Sequence, residues 1–317
     1  MFDPKNVFIS IIGSEKLTHL GINLELYSNF FFRDKLYINV VYNGEKDLTK
    51  LEDKYDSLNH LPENRGYYIG ALDGINASLK DFIESDRNIG VIHNFDYLFF
   101  YDNPFRALID DFIKTNKGVL MWKMKNANPP ERSIFQTDCF VITKELAKQL
   151  YPINPKTDIT IFYRKALAKE SDGDMDIMEE WFFQRLVNIL LYTELDEINN
   201  PLHNQEMSKK YIATQHSMVM EKLHEYVSII TTETIDLMAQ LKRDGLIQLL
   251  NSSNSKGHAV VAADGVNKGA YDSKYHSIHT HHFEILRPLL IMFKYNLDNK
   301  KFKTIDSFIN NEISLID

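Results

Sequence analysis

Short runs of β-branched and aromatic residues alternate with helical segments along the first half of the chain, and this alternation constrains the fold more than any other feature. Residues 7–12 form one such run, which Gly13 closes, and residues 36–42 form a second, which ends at the turn pair Asn43-Gly44. A segment of helical character, 17–31, lies between the two runs. A strand, a helix and a second strand in this order are typical of a parallel sheet that helices cover.

The same pattern continues to residue 142. We predict helices over 67–85 and 104–114, and further strands over 89–92, 118–122 and 139–142. The sequence therefore predicts an α/β fold with an open, mainly parallel sheet flanked by helices. In such sheets ligands bind beyond the carboxyl ends of the strands, so the polar residues that follow the strands are the first candidates for a site.

Beyond residue 200 the character of the sequence changes. We predict helices over 206–228, 234–250 and 283–295, with an exposed polar loop over 251–257. We therefore take residues 1–200 as a core of the catalytic type, followed by a C-terminal helical extension over residues 201–317.

Composition excludes several classes of protein. The 317 residues, 44% of them hydrophobic, are enough for a large core, and a formal net charge of -8 gives no basis for general nucleic-acid binding. One cysteine, Cys139, excludes an internal disulfide and fits a reducing compartment. No stretch approaches the roughly 18 apolar residues of a membrane-spanning helix, and the N-terminus does not resemble a signal peptide. We expect a cytoplasmic protein, with peripheral association at the inner face of the membrane left open.

Three glycines spaced four apart begin the helix predicted over 67–85: Gly66, Gly70 and Gly74. This spacing places them along one helical face, which lets a phosphate-bearing ligand or another backbone come close. Close packing of the helix against the sheet is the alternative explanation.

The strand predicted over 89–92 leads into His93, Asn94, Phe95 and Asp96. Two oxygen-bearing side chains in such a loop can chelate Mg²⁺ or Mn²⁺, which neutralises a diphosphate. The alternative for Asn94 and Asp96 is an Asx turn. His93 could assist the site, or it could be a hydrogen-bonded structural residue.

The order of these motifs resembles that of the inverting GT-A glycosyltransferases, a group that includes bacterial rhamnosyl- and galactofuranosyltransferases. The matching motifs are Asn43, Asn64-x-Gly66-Tyr67-x-x-Gly70-x-x-x-Gly74 and Asn94-x-Asp96, and the resemblance covers roughly residues 7–190. It implies a GT-A-like sheet, a nucleotide diphosphate sugar as donor, and a carbohydrate or glycolipid as acceptor, such as a growing surface polysaccharide. The residues that it implies for the donor are Ser10, Gly13 and Asn43 near the base and ribose, Asn64, Gly66, Gly70 and Asp73 near the nucleotide, and Asn94 and Asp96 at the metal and the diphosphate.

One departure from the family's pattern bears on the metal. The family has an acid where this chain has Asn94, whose amide oxygen holds a metal ion less strongly than a carboxylate does. We predict Mn²⁺ or Mg²⁺ at Asn94 and Asp96. A metal-free variant, in which basic side chains meet the diphosphate, stays open.

The family also places its catalytic base in an acidic pair at the start of a helix, followed by an Arg. Residues 174–185 match this character and contain Glu179 and Glu180. Helical spacing places Glu180 on a polar stripe and Glu179 among apolar residues, where enclosure raises the pKa of a carboxyl group as a base requires. We favour Glu179, with Glu180 next. The alternative is that both are first-turn acids that stabilise a helix N-terminus.

Three further residues complete the expected site. Asp138, before the strand at Cys139, is a candidate for orienting acceptor or donor hydroxyl groups, with a surface turn as the alternative. Residues 276–282 include four His, of which we take His279 as the one that reaches back to the metal or diphosphate, as a C-terminal His does in many GT-A enzymes. A polar loop before a helix is the alternative there. The Gly-punctuated segment 256–269 could fold over the donor as a lid, with Lys268 or Lys256 toward phosphate.

These expectations describe a nucleotide-sugar-dependent, inverting glycosyltransferase of the hexosyltransferase type, with Glu179 or Glu180 as base. A nucleotidyltransferase would show a Gly-rich, basic loop after the first strand, and residues 13–16 are too poor in both. The alternative from another class is a non-catalytic module of the same fold that binds a glycan, a nucleotide or a protein.

Overall fold

A central β-sheet with helices on both faces makes up most of the computed structural model, which describes residues 1–14, 17–65, 67–124, 135–153, 227–232, 269–272, 277–280, 286–287, 290–291 and 303–310. The described strands are β1 (Val7–Gly13), β2 (Tyr37–Tyr42), β3 (Ser57–His60), β4 (Ile89–Asn94), β5 (Tyr97–Phe99), β6 (Val119–Met124), β7 (Phe135–Thr143), β8 (Val227–Thr232), β9 (Gly269–Asp272) and β10 (Ser277–Thr280). Seven of these form the main sheet in the order β3-β2-β1-β4-β7-β6-β8, and β5-β10-β9 form a small antiparallel sheet.

The main sheet is open and mostly parallel. Strands β3, β2, β1 and β4 pair in parallel, as do β6 and β8, whereas β7 runs antiparallel to both of its neighbours. The carboxyl ends of β2, β1 and β4 therefore lie side by side at one edge. This arrangement confirms the predicted α/β fold with a mainly parallel sheet flanked by helices.

Two layers of helices cover the sheet. The described helices are α1 (Leu17–Ser28), α2 (Tyr67–Glu84), α3 (Asp102–Thr115), α4 (Lys144–Leu150) and α5 (Lys303–Ile309). On β1 the residues Val7, Ile9 and Ile11 belong to one buried cluster with α1 and α3, while Phe8 and Ile12 belong to another with α2 and α4. The strand is thus buried on both faces, which is why it shows a continuous apolar run rather than alternation.

The part of the chain after residue 200 contributes strands as well as helices, whereas the sequence predicts only helices and loops there. Strand β8 joins the main sheet beside β6, and its first two residues fall within the helix predicted over 206–228. Strands β9 and β10 build the small sheet with β5. Residues 286–287 and 290–291 are helical, as predicted for 283–295. The boundary near residue 200, the helix over 234–250 and the loop over 251–257 lie outside the described residues.

Helix α5 packs on α1 although some 280 residues separate them in the chain. Its backbone N–H groups at Thr304 and Ile305 donate to the carboxylate of Glu25 on α1, at 2.9 and 2.8 Å. Phe308, also buried, packs under the guanidinium group of Arg287 at 5.3 Å. The C-terminal segment is therefore an integral part of the core.

None of the helices in the described part of the chain has both the length and the apolar character needed to cross a bilayer.

Candidate functional site

Three of the predicted donor-binding residues meet at the carboxyl edge of the main sheet. Gly13 ends β1, Asn43 follows β2, and Asn94 ends β4 directly opposite Ile12. The backbone N–H of Asn43 donates to the carbonyl oxygen of Gly13 at 3.1 Å, and the N–H of Phe95 donates to that of Ile12 at 2.8 Å. These two hydrogen bonds hold the loops that follow β2 and β4 close to the end of β1.

Asn43 and Asn64 converge on Gly70 in the first turns of α2. The Asn43 side chain donates through Nδ2 to the carbonyl oxygen of Gly70 at 3.4 Å. A Cβ atom at position 70 would lie 3.0 Å from both Asn43 Nδ2 and Asn64 Oδ1, so the absence of a side chain lets the two amides approach the helix. Among the described residues, no group donates to Oδ1 of Asn43, although this atom is buried. A buried acceptor in this state is suited to an N–H or O–H group of a ligand.

Arg65 and Asp73 form an ion pair at the rim of this cluster. The guanidinium group meets the Asp73 carboxylate through two contacts, Nε to Oδ2 at 2.8 Å and Nη2 to Oδ1. The pair raises the pKa of Arg65, chiefly through the hydrogen bond to Asp73. Asp73, predicted near the nucleotide, is thus engaged by Arg65, whose side chain is 52% exposed and presents its outer edge to solvent.

The predicted glycine face has two different functions in the structure. Gly70 faces the two asparagines, whereas a Cβ at Gly74 would fall 2.4 Å from Cγ2 of Ile12, so Gly74 serves close packing of helix on sheet. Gly13 is also required by packing, because a Cβ there would fall 2.3 Å from the ring of Phe95. Gly66 lies outside the described residues.

The loop after β4 presents Asn94 and Asp96. Asp96 is 6% exposed and Asn94 is partly buried. The preceding His93 is fully buried, and its ring contacts the carbonyl oxygen of Asn94 through Nδ1 and the hydroxyl of Tyr27 through Nε2, both at 2.9 Å. Burial lowers the pKa of His93 to about 4, against the opposing effects of the Asn94 and Tyr97 backbone and the Asp96 charge. His93 is therefore a neutral, hydrogen-bonded residue beneath the loop.

The side-chain oxygens of Asn94 and Asp96 fit a divalent cation whose remaining ligands come from water and a bound substrate. One carboxylate and one amide oxygen are hard ligands, and Mg²⁺ in proteins is commonly held by one or two carboxylates together with waters and substrate phosphates. Within the described ranges, no group of three or more His, Cys, Asp or Glu side chains is placed to hold a metal by itself.

Two predicted residues from other strands have their backbone at the same edge. His279 on β10 pairs with Tyr97, the residue after Asp96, so the C-terminal strand runs alongside the loop. Asp138 on β7 precedes Cys139, whose partner is His93. The backbone of Asp138 thus lies near that of Asn94, and the backbone of His279 lies near that of Asp96.

Ser10 is placed away from this edge. It is completely buried in the middle of β1, and its hydroxyl group donates to Ser78 of α2 at 2.7 Å and accepts from Asn39 at 3.2 Å. Its hydrogen-bonding groups serve the contact between the sheet and α2, and we remove Ser10 from the donor site. Glu179, Glu180 and Lys268 lie outside the described residues.

Sequence reasoning missed two polar residues of α1 that reach the loop. Asn23 donates through Nδ2 to the carbonyl oxygen of Phe95, and Tyr27 contacts His93. Their spacing of four residues within α1 was the available signal, because it places both on one face of the helix.

Comparison with known proteins gives matches at the level of structure only. No protein-family model matches the chain, and neither does any curated protein. Among solved structures, the chain is similar to the mannosyltransferase PcManGT from Pyrobaculum calidifontis in complex with GDP-Man and Mn²⁺, with 14% identity, a TM-score of 0.38, and coverage of 69% of this chain and 81% of that one. It is also similar to S. aureus TarS, with 14% identity, a TM-score of 0.39, and coverage of 62% of this chain and 41% of that one.

Proposed function

We propose that this protein is a glycosyltransferase that takes its sugar from a nucleotide diphosphate sugar. The observation that carries the proposal is the convergence of Asn43, Asn64 and the Asn94-x-Asp96 loop at the carboxyl edge of three parallel strands. Ligands of open α/β sheets bind at such an edge. The edge offers an amide cluster for a nucleoside and hard oxygen ligands beside it for a diphosphate and its counter-ion.

The described residues divide the donor between them. The buried Oδ1 of Asn43 would accept from an N–H or O–H group of the nucleoside, with Asn64 beside it. Arg65, held by Asp73 and half exposed, would face the phosphate charge. Asp96 and the amide oxygen of Asn94 would hold Mn²⁺ or Mg²⁺, which when bound supplies charge neutralisation of the diphosphate.

The finer steps of the reaction extend this proposal to further residues, of which Glu179, Glu180 and Lys268 lie outside the described ranges. In an inverting transfer the acceptor hydroxyl oxygen attacks the anomeric carbon from the face opposite the diphosphate. The bond from that carbon to the diphosphate oxygen breaks, and a carboxylate takes the hydroxyl proton. We assign this base to Glu179 or Glu180, hydroxyl orientation to Asp138, and approach to the metal or phosphate to His279 and Lys268. The acceptor is a carbohydrate or a glycolipid.

The test is a ligand panel with matched variants. UDP, GDP, dTDP and the corresponding nucleotide sugars are each added with and without Mn²⁺, and the midpoint of thermal unfolding is measured, because a ligand of the folded state raises it. Asn43→Ala is compared with Asn59→Ala. Asn59 is also an asparagine, but it lies on the edge strand β3 and its side chain donates to Asp81 at 2.9 Å. We expect Asn43→Ala to weaken the binding of the stabilising nucleotide by about tenfold and Asn59→Ala to leave it unchanged.

Two results would contradict the proposal. If no nucleotide stabilises the wild-type protein, the chain has no donor site. If Asn43→Ala binds the nucleotide as tightly as wild type does, the asparagine cluster is not part of that site. Nucleotide binding without sugar transfer to any acceptor, from a protein that responds to Mn²⁺, would favour the non-catalytic module.

A further inference from the structure

Helix α1 buries an unusual number of polar side chains. Eleven of its twelve residues are buried, among them Asn23 at 0% exposure, Glu25 at 6% and Tyr27 at 1%. A buried polar group costs free energy unless hydrogen bonds satisfy it, so these side chains need partners. Glu25 finds them in the N-terminus of α5, whereas Asn23 and Tyr27 turn to the loop after β4.

Tyr27, His93 and the carbonyl group of Asn94 form a chain of two hydrogen bonds, and the donor and acceptor of each can be assigned. A carbonyl oxygen only accepts, so the ring of the neutral His93 must carry its proton on Nδ1 to donate to Asn94 at 2.9 Å. Nε2 is then the acceptor, and the Tyr27 hydroxyl group donates to it at 2.9 Å. The hydroxyl of Tyr27 thereby sets the tautomer and orientation of the ring that holds the Asn94 carbonyl.

Asn23 acts on the next carbonyl of the same loop. Its Nδ2 donates to the carbonyl oxygen of Phe95, one helical turn from Tyr27. From the opposite side the N–H of Phe95 donates to Ile12 of β1 at 2.8 Å. Two consecutive carbonyl groups and the N–H between them are thus fixed by a helix on one side and a strand on the other.

Packing alone does not explain the hydroxyl group of Tyr27. Replacing both partners of a buried hydrogen bond by apolar groups of similar shape is often neutral or stabilising. A phenylalanine at position 27 would keep the ring contacts with Phe30 and Phe105, whose centroids lie at 5.2 and 5.8 Å. What the hydroxyl group of Tyr27 adds is the geometry of the backbone from which Asn94 and Asp96 project.

We propose that Asn23 and Tyr27 are positioning residues that hold the Asn94-x-Asp96 turn ready for a metal-bound diphosphate. This inference rests on the proposed function for the nature of the ligand, and on hydrogen bonds alone for the fixing of the turn. Neither residue touches the donor. They act through His93 and through the backbone of the loop.

The test compares Tyr27→Phe, and Asn23→Ala as a second variant, with Ser78→Ala. The control also removes a buried hydroxyl group from a helix against the sheet, but on the opposite face, where Ser78 bonds to Ser10 at 2.7 Å. Two quantities are measured in each variant. The first is hydrogen exchange of the backbone amides over 93–99 without ligand or metal. The second is the ratio of the dissociation constants of UDP, GDP and dTDP without and with Mn²⁺.

We expect exchange over 93–99 to be about tenfold faster in Tyr27→Phe and Asn23→Ala than in wild type, and unchanged in Ser78→Ala. The enhancement of nucleotide binding by Mn²⁺ should fall about tenfold in the first two variants, while binding without metal stays the same. Unchanged exchange in Tyr27→Phe, equal acceleration in Ser78→Ala, or a full Mn²⁺ enhancement in Tyr27→Phe would each overturn the inference. A wild-type chain that binds no nucleotide overturns the proposed function instead, and the exchange rates then decide whether α1 fixes the turn.

Discussion

Gly70 and Gly74 lie one helical turn apart on α2, yet a side chain would meet a different kind of neighbour at each. At position 70 a Cβ would lie 3.0 Å from the amides of Asn43 and Asn64, and Asn64 is exposed and can move aside. At position 74 it would lie 2.4 Å from a branch methyl of Ile12, which is 5% exposed in the core. The first glycine makes room in the site and the second makes room for the sheet.

The same substitution should therefore have opposite effects at the two positions. We expect Gly74→Ala to lower the free energy of unfolding by about 1–3 kcal/mol, because the backbones of α2 and β1 must separate. Gly70→Ala should keep or slightly raise stability, since alanine favours a helix by about 1 kcal/mol over glycine, but it should weaken nucleotide binding. Urea unfolding and the nucleotide panel measure the two effects. If Gly70→Ala lowers the free energy of unfolding but leaves nucleotide binding unchanged, Gly70 serves packing of α2, as Gly74 does.

At this scale the sequence predicts which residues border the site better than it predicts which way they face. Asn43 and Asn94 follow their strands, so the rule for parallel sheets brings them together. Ser10 lies inside a strand that is apolar on both faces, and such a strand gives no alternation from which to tell that the hydroxyl points to α2. Glycine spacing likewise could not separate Gly70 from Gly74, because the difference depends on what lies opposite.

Among the elements, α5 has its first turn bound by one buried carboxylate, that of Glu25 on α1. Glu25 accepts hydrogen bonds from Thr304 and Ile305, and Lys54 lies 4.0 Å from it. The carboxylate satisfies backbone N–H groups that the first turn of any helix leaves without an intrahelical partner, and its charge matches the helix dipole. Helix α5 thus depends on a residue near the other end of the chain.

We expect Glu25→Gln to lower the free energy of unfolding by about 1–3 kcal/mol, because the amide replaces one acceptor by a donor that faces a backbone N–H. Hydrogen exchange should become faster over 303–310 in particular. Glu145→Gln is the control, since Glu145 is an exposed acid in the first turn of α4. Equal stability of Glu25→Gln and wild type in urea would show that apolar contacts alone hold α5.

Elements that carry a strong apolar run could be predicted, and those without one could not. The predicted strands at 7–12, 36–42 and 89–92 correspond to β1, β2 and β4. Strand β3, Ser57–His60, is a four-residue edge strand with alternate exposure and no apolar run, so local sequence gives little signal. Strand β8 reads VSIITT, whose β-branched residues favour a strand, but the helix predicted over 206–228 overlaps its first two residues.

For the molecule as a whole, a buried imidazole makes stability depend on pH. The pKa of His93 is about 4 in the folded chain and is expected near 6.5 in the unfolded chain. Between these values the unfolded chain binds a proton that the folded chain excludes. The contribution of His93 is therefore complete above pH 6.5 and is lost progressively as the pH falls to 4.

In metal-free buffer we expect the free energy of unfolding to fall by roughly 3 kcal/mol between pH 6.5 and pH 4, because His93 takes up a proton only in the unfolded chain. The measurement is urea unfolding at a series of pH values for wild type, His93→Gln and His60→Gln. The slope against pH should flatten in His93→Gln, and it should stay as in wild type in His60→Gln, whose ring is exposed. Parallel slopes in all three proteins would assign the pH dependence to other groups.

The late entry of β8 into the main sheet has a consequence for biosynthesis. β6 pairs with β7, which follows it closely, but its other edge pairs with β8, which begins at Val227. On the ribosome, the open edge of β6 must wait for more than a hundred further residues, and the carboxylate of Glu25 must wait for Thr304 and Ile305. An unpaired edge of this kind is a template for aggregation. The nascent chain therefore passes through a period in which the strands before β8 are synthesised but the main sheet is incomplete, and a fragment cut at residue 200 would remain in that condition.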